Sequence, residues 1–475
     1  MRIYSENVVQ QSSAGTLVIG PAEIFIKDGF IQSLSPGRRD SSSSQEDLDH
    51  DLGDLLIAPA FVNAHTHLSL SSLRGLINQE NYRGNVVEEV YFRFESNLSA
   101  EDVRAFVRVA ALECILAGTA MVWDHYYFAD ALAEGFRDVG LCAAVAATLQ
   151  DLEGPGARVW EQQLVSTVRI AQSAEMFRDG ILAVVGPHAT DTVSDELWNH
   201  VGEIATRHDL PVHAHVAQSQ DEHGRIWSQY GTTPMGRLEK LGMLDLKSPF
   251  LMVHGLYVGK DEIQRLDPKR HFLGYCPSAQ MQFDFPAPVH LWQEHGIGIV
   301  LGTDAGCCND TMNVQLEMRN LAAGQLFALP HSREYRSFTN DPSVLPSQRV
   351  RTRRETLYNN SIQHATPERL LSSVWSIPGS LHPASQCGVI APGYRANLCV
   401  YDTEHPVFWP GYDPLRSLAY SNASPAIHGM IINGEWRGTP GDFHRSIVQS
   451  DQAQEFRREA DGRLRGVLER SGLSR

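Results

Sequence analysis

Ala58-Pro59-Ala60-Phe61-Val62-Asn63-Ala64-His65-Thr66-His67 is the stretch on which the reading of this chain turns. It closes an apolar run that starts at Leu56 and ends in two histidines separated by one threonine. Alternate residues of a strand face the same side. His65 and His67 can therefore present two imidazoles to one ion, while Thr66 points away.

Seven more apolar runs follow, alternating with helical patterns: Thr119 to Asp124, Cys142 to Ala147, Ile181 to Val185, Pro211 to His215, Phe250 to His254, Phe272 to Tyr275 and Ile297 to Leu301. With Leu56 to Ala64 this is the strand count of a closed (β/α)₈ barrel of the α/β class. Cys142 to Ala147 is the weakest run, and an open doubly wound sheet is the alternative. Five strand ends carry metal-ligand residues: His65 and His67, His188 after Gly186-Pro187, His213 and His215, His254, and Asp304 after Thr303. In a parallel barrel these ends meet at one mouth, where active sites are built. The chain has 20 histidines, so one at a strand end says little, whereas this convergence says much. His213 and His215 share the alternate-residue geometry, and spacing does not choose between them. Histidines plus an aspartate, with room for water, suit one catalytic zinc or iron(II) ion. The competing explanation is that these histidines only hydrogen-bond within loops.

The ends of the chain read as β-rich. Asp28-Gly29 and Asn433-Gly434 each sit between short apolar runs, a hairpin signal. Ala396 to Tyr401 is a further strand candidate. The two ends are expected to pair into one small composite β-sandwich. In the expected organisation, residues 1–57 supply the N-terminal half of the sandwich and 58–385 the barrel. Residues 386–440 supply the C-terminal half of the sandwich, and 441–475 form a helical tail. Gly37 to Asp47 reads as a polar surface loop.

Bulk composition excludes several partners. A formal charge of −16 and a pI near 5.6 argue against nucleic acid. No secretory leader pattern and no long apolar span is visible, which argues against a membrane. Seven scattered cysteines do not form a disulfide framework and suit a reducing cytoplasm. A homo-oligomer, a dimer, is the expected assembly.

The opening stretch resembles the first-strand signature of the amidohydrolase superfamily. Similar motifs follow in order: Gly186-Pro187-His188, His213-Ala214-His215-Val216-Ala217, Val253-His254-Gly255, Cys276-Pro277-Ser278, Gly302-Thr303-Asp304 and Gly388 to Leu398. The resemblance spans roughly residues 3 to 437. It is greatest to the branch of adenosine-derivative, guanine and cytosine deaminases and triazine hydrolases. It implies metal binding by His65, His67, His215 and Asp304, a substrate role for His188 and a polarising role for His254. Binuclear members use a carboxylated lysine, and this chain has five lysines with none between Lys27 and Lys240. One divalent ion is expected: zinc, with iron(II) second.

One position departs from the branch. Its deaminases carry a proton-shuttling glutamate three residues after the ligand of strand five, and Gln218 stands there. An amide can hydrogen-bond but cannot carry a proton at neutral pH. Either Asp304 protonates the leaving group while Gln218 reads the substrate, or Asp221 or Glu222 reaches in, or the protein has little deaminase activity. The first is favoured. The expected catalytic set is Asp304, His254 and Gln218; the expected substrate set is His188, Gln218, His254 and Trp123.

Other residues near the mouth are weaker candidates. Trp123, Tyr126, Tyr127, Tyr91 and Phe92 either form an aromatic pocket or pack as ordinary loop residues. Tyr275 and Gln280 replace the histidine and asparagine common in the branch. Cys307 and Cys308 follow Asp304 closely and are minor alternative metal ligands, since the implied set is already complete, and Asp191 and Asp195 are candidates to cap the helix after strand four. The loops Ser69 to Glu95 and Leu329 to Thr352 shape the pocket.

The expected activity is hydrolytic deamination, or C–N hydrolysis, of a small nitrogen heterocycle or cyclic amidine. The alternatives are an amide, imide or other leaving-group hydrolase, and a non-catalytic metal-binding homologue.

Overall fold

The computed structural model describes residues 1–12, 15–37, 48–77, 84–283, 287–328, 343, 347–348 and 365–473. The polar run 38–47 and most of the loop expected at 329–352 lie outside the described residues.

Five strands precede the barrel: β1 (Arg2–Gln11), β2 (Leu17–Lys27), β3 (Phe30–Pro36), β4 (His50–Asp51) and β5 (Leu56–Pro59). The apolar run from Leu56 is divided between two sheets. Its first four residues, β5, pair in parallel with β1. At Ala60 the N–H bonds Asn397 O at 3.0 Å, and the chain crosses into the barrel as β6 (Phe61–His67). A single strand over Leu56 to Ala64, as its unbroken hydrophobicity suggested, is therefore replaced by two.

Nine parallel strands form the barrel sheet: β6, β7 (Thr119–Tyr126), β8 (Cys142–Leu149), β9 (Ile181–Pro187), β10 (Val212–Val216), β11 (Phe250–His254), β12 (His271–Tyr275), β13 (Gly298–Leu301) and β14 (Asp304–Ala305). Each pairs with its sequence neighbour except at the last turn. There β13 pairs β12, the chain breaks at Gly302-Thr303, and β14 pairs β6 with Asp304 opposite Thr66. Asn63 bridges the break, donating to Thr303 Oγ1 at 2.8 Å and accepting the Thr303 N–H at 3.0 Å. A Cβ on Gly302 would lie 2.7 Å from the His65 carbonyl oxygen, so only glycine lets the strands approach this closely. The broken last strand delivers Asp304 directly beside β6, the first barrel strand.

The weakest run, β8, is a fully buried strand paired on both sides by β7 and β9. Its four alanines have little strand preference of their own, and neighbouring strands impose the conformation.

The C-terminal strands are β15 (Leu398–Tyr401), β16 (Ile427–Ile432) and β17 (Glu435–Arg437). They join the N-terminal strands in one eight-stranded mixed sheet through β5, which lies between β1 and β15. Both hairpins form: Asp28 and Gly29 have φ of 53° and 81°, Asn433 and Gly434 of 53° and 80°, as a type I′ turn requires. The two turns, over 400 residues apart in sequence, abut, with a Gly434 Cβ position 3.0 Å from Gly29 Cα. Ile3, Ile24, Ile57, Val400 and Ile431 form this sheet's own apolar core. The tail folds as helices Phe443–Val448 and Asp451–Ser471. The second docks on the Ala100–Leu116 helix, where Arg463 and Arg470 reach buried Asp102 at 3.3 and 3.2 Å.

Candidate metal and active site

The strand ends bring four histidines and one aspartate together. His67 Nδ1–H donates to the His125 carbonyl at 2.6 Å and His215 Nδ1–H to the His188 carbonyl at 2.7 Å. A carbonyl only accepts, so the Nε2 of each ring carries a free lone pair. Those two Nε2 atoms lie 3.3 Å apart. Asp304 Oδ1 lies 3.6 Å from His67 Nε2 and 3.9 Å from His65 Nε2. His65 Nδ1 is 2.8 Å from His213 Nε2, while its own Nε2 is buried with no hydrogen-bond partner among the described residues.

This cluster fits a divalent cation. Two lone pairs facing each other and an orphaned buried nitrogen are unfavourable unless a positive charge is shared between them. Metal–nitrogen bonds of about 2.0–2.1 Å set tetrahedral donors about 3.4 Å apart, close to the spacings found. Burial holds His65 and His215 well below the ordinary imidazole value, and His188 and His213 are pushed down to about 3. These rings are neutral at pH 7, as ligands must be. The pair left open by spacing divides cleanly: His215 turns its Nε2 to the cluster, and His213 backs the ring of His65.

His254 Nε2 lies 3.9 Å from the other oxygen of Asp304, Oδ2. Burial lowers the His254 pKa, with the Asp304 carboxylate opposing. His254 and Asp304 hold φ of 78° and 61°, and Ala217 of 52°. Three non-glycine residues thus adopt the left-handed region at one mouth, the kind of strain that gathers at functional sites.

A cavity of about 370 Å³ opens above these residues, with His188, Gln218, His254 and Gln280 in its wall. Tyr91, Phe92, Tyr126 and Tyr127 line it too, so four of the five aromatic candidates reach the pocket. Trp123 does not. It is 1% exposed and packs edge-on to His213 inside the barrel. Trp123 shares its strand face with His125 but sits one layer deeper, so it fills the barrel beneath the site instead of touching a substrate.

Among the cavity residues that the sequence did not single out are His125, Thr148 and Glu95. His125 follows the strand-end rule on β7, with Nδ1 2.9 Å from Thr148 Oγ1, and Thr148 lines the cavity in turn. Glu95 comes from the segment after strand one and is 7% exposed; burial pushes its carboxyl up to about 8, leaving it neutral at pH 7.

Several expectations are corrected nearby. Ser194, not Asp191 or Asp195, caps the Asp195–His208 helix by accepting the Leu197 N–H. Asp191 pairs with Arg225 at 2.7 Å and Asp195 with Arg237 at 2.5 Å. Glu222 does not reach in as an acid; its carboxylate accepts the Gln218 and Ala217 N–H groups at 2.7 and 3.1 Å, away from the cavity wall. Asp221 lies in the wall. Cys308 donates to Ala305 O, and burial pushes the Cys307 thiol up to about 12, so both are protonated at neutral pH.

Known proteins share this architecture. The chain is 27% identical over 442 residues to a 5-methylthioadenosine/S-adenosylhomocysteine deaminase of Moorella thermoacetica, covering 93% of this chain and 95% of that one. It superposes on an adenosine deaminase from Xanthomonas campestris with bound zinc, with a TM-score of 0.78, 20% identity and 98% of each chain covered. It also superposes on atrazine chlorohydrolase from Arthrobacter aurescens TC1 complexed with zinc, with a TM-score of 0.76, 18% identity, and 98% and 99% of the two chains covered. The amidohydrolase family profile matches residues 56–341, from strand one past Asp304, and on that match the chain belongs to the amidohydrolase family.

Proposed function

We propose that the chain is a mononuclear metal-dependent hydrolase that deaminates a nitrogen heterocycle or cyclic amidine. The observation that carries this reading is the position of Asp304: one oxygen faces His65 and His67, the other faces His254, at the floor of a heterocycle-sized cavity. His65, His67, His215 and Asp304 would hold the ion, with zinc before iron(II) because the Xanthomonas and Arthrobacter neighbours carry zinc. When bound, such an ion acidifies water and polarises the attacked group. The absence of a lysine between Lys27 and Lys240 supports a single ion.

Asp304 takes a proton from the attacking water and passes it to the leaving nitrogen. His254 orients the water and steadies charge developing on the substituents of the attacked carbon. His188 and Gln218 read the heterocycle, and Gln218 hydrogen-bonds a ring nitrogen without protonating it. Glu95, neutral at pH 7, offers a hydrogen-bond donor further along the wall. The Moorella relative, named for adenosine derivatives, supports a purine nucleoside as the first substrate class to try.

The amide in the shuttle position favours one second reading, hydrolysis of an amide, imide or other leaving group that needs no ring protonation. A panel of 5-methylthioadenosine, S-adenosylhomocysteine, guanine, cytosine and cyclic imides separates the two. Ammonia release from a purine or pyrimidine supports deamination, ring opening alone supports the second reading, and no turnover with metal bound overturns both. Replacing Gln218 with Glu is expected to raise deamination.

Cytoplasmic residence is part of the proposal, supported by seven free, buried cysteines. Among the described residues no helix is long and apolar enough to cross a membrane. The proposed dimer is checked by light scattering.

A further inference from the structure

One buried carboxylate holds the Gln218 turn from behind. β10 ends at Val216, and Ala217 then adopts a left-handed backbone with φ 52°. A residue with a Cβ keeps that conformation only where its surroundings impose it. Glu222, fully buried, supplies the constraint. Its Oε1 accepts the Ala217 N–H at 3.1 Å and its Oε2 accepts the Gln218 N–H at 2.7 Å. The hydroxyl of Thr190 donates to the same carboxylate. Thr190 belongs to the loop after β9 that carries His188, and Arg237 holds its carbonyl.

Burial and the nearby Asp191 push the Glu222 carboxyl up, while its three donors, Thr190, Gln218 and Ala217, favour the ionised form, in which both oxygens only accept. An amide of the same shape would set an NH₂ against one of three donors and leave a buried group unpaired. We propose that Glu222 is the positioning residue of the substrate-reading wall: it acts through Gln218, fixing the approach of that amide to the heterocycle and holding its loop in register with His188. This rests on Gln218 being a substrate contact, as the proposed function has it.

The test is a double-variant cycle of Glu222→Gln and Gln218→Ala, with kcat and KM measured separately beside metal content and melting temperature. Glu222→Gln is expected to lower kcat/KM about tenfold, the scale of one buried hydrogen bond, with metal content unchanged. In the Gln218→Ala background the same change is expected to cost less than about twofold, because the two residues act as one unit. Equal losses in both backgrounds would overturn the proposal. Adding Ala217→Gly, which removes the backbone strain, is expected to restore part of the lost activity, and no recovery counts against the clamp. Should Glu222→Gln fail to fold, Thr190→Val takes its place, removing one donor while leaving the carboxylate. Amide hydrogen exchange needs no turnover: faster exchange at Ala217 and Gln218 in the variant supports the clamp, and unchanged protection overturns it. A wild-type protein that released no ammonia would sink the deaminase reading and leave this exchange result standing on its own.

Discussion

The floor and the wall of the cavity are built differently. On the floor, His67 and His215 are locked by backbone carbonyls and His65 by the ring of His213, all on hydrogen-bonded strands. On the wall, Glu88, Tyr91 and Glu95 come from a five-residue π-helical turn, Val87–Tyr91, and the single turn Phe92–Glu95 that follows. That segment is tied to the barrel loops by Glu88–Arg225 at 2.9 Å, a pair whose arginine is 41% exposed. The hydrogen-bonded sheet holds the chemistry, while strand-end loops and short irregular turns hold what is read. Changes on the floor are therefore expected to remove activity, and changes on the wall to redirect it.

Four experiments probe that contrast. Asp304→Asn keeps the shape of the floor but removes its proposed proton carrier and a charged metal ligand, and kcat per bound metal is expected to fall by up to about 10⁴-fold; retention of most activity in steady-state assays would place the base elsewhere. His213→Leu leaves the proposed ligand set intact yet frees the His65 ring, and metal affinity in competition with a chelator is expected to drop up to about a hundredfold. Unchanged affinity would mean that the floor does not depend on its backing. Acid stability comes next. The unfolded chain protonates a histidine near pH 6.5, whereas His188 and His213 hold out to about 3. Their stabilisation is complete above the unfolded value and is lost as the pH falls between the two. Melting of the metal-free protein is expected to show a cost of about 2 kcal/mol per histidine at pH 5. A melting temperature flat from pH 7.5 to 5 would contradict that. On the wall, Glu95 carries its proton up to about pH 8 and ionises above it. If substrate needs the neutral acid, kcat/KM falls about tenfold by pH 9, and Glu95→Gln should abolish that alkaline limb while keeping activity near neutrality.

The clustering of the candidate metal-site side chains was legible in the sequence because strand alternation and strand ends are short-range properties. His65, His67, His254 and Asp304 needed only those rules. His213 against His215 did not yield to them, since both face one side; the His188 carbonyl and the His65 ring, supplied by other strands, decide the pair. Trp123 misled for a related reason, because alternation gives the face of a strand and not the depth along the barrel. The break at Gly302-Thr303 was invisible because its partner, Asn63, lies 240 residues away. Glu95 depends on how an irregular segment folds back over the mouth, and no local pattern reports that. The terminal hairpins were legible for the opposite reason: Asp-Gly and Asn-Gly carry their turn type within two residues.

The central claim is a single ion held by four residues of the floor. Zinc and iron per chain, measured by elemental analysis on the wild-type protein and on His215→Ala, test it most directly. One equivalent in the wild type, lost in the variant, is the predicted result; two equivalents, or one retained without His215, would contradict it.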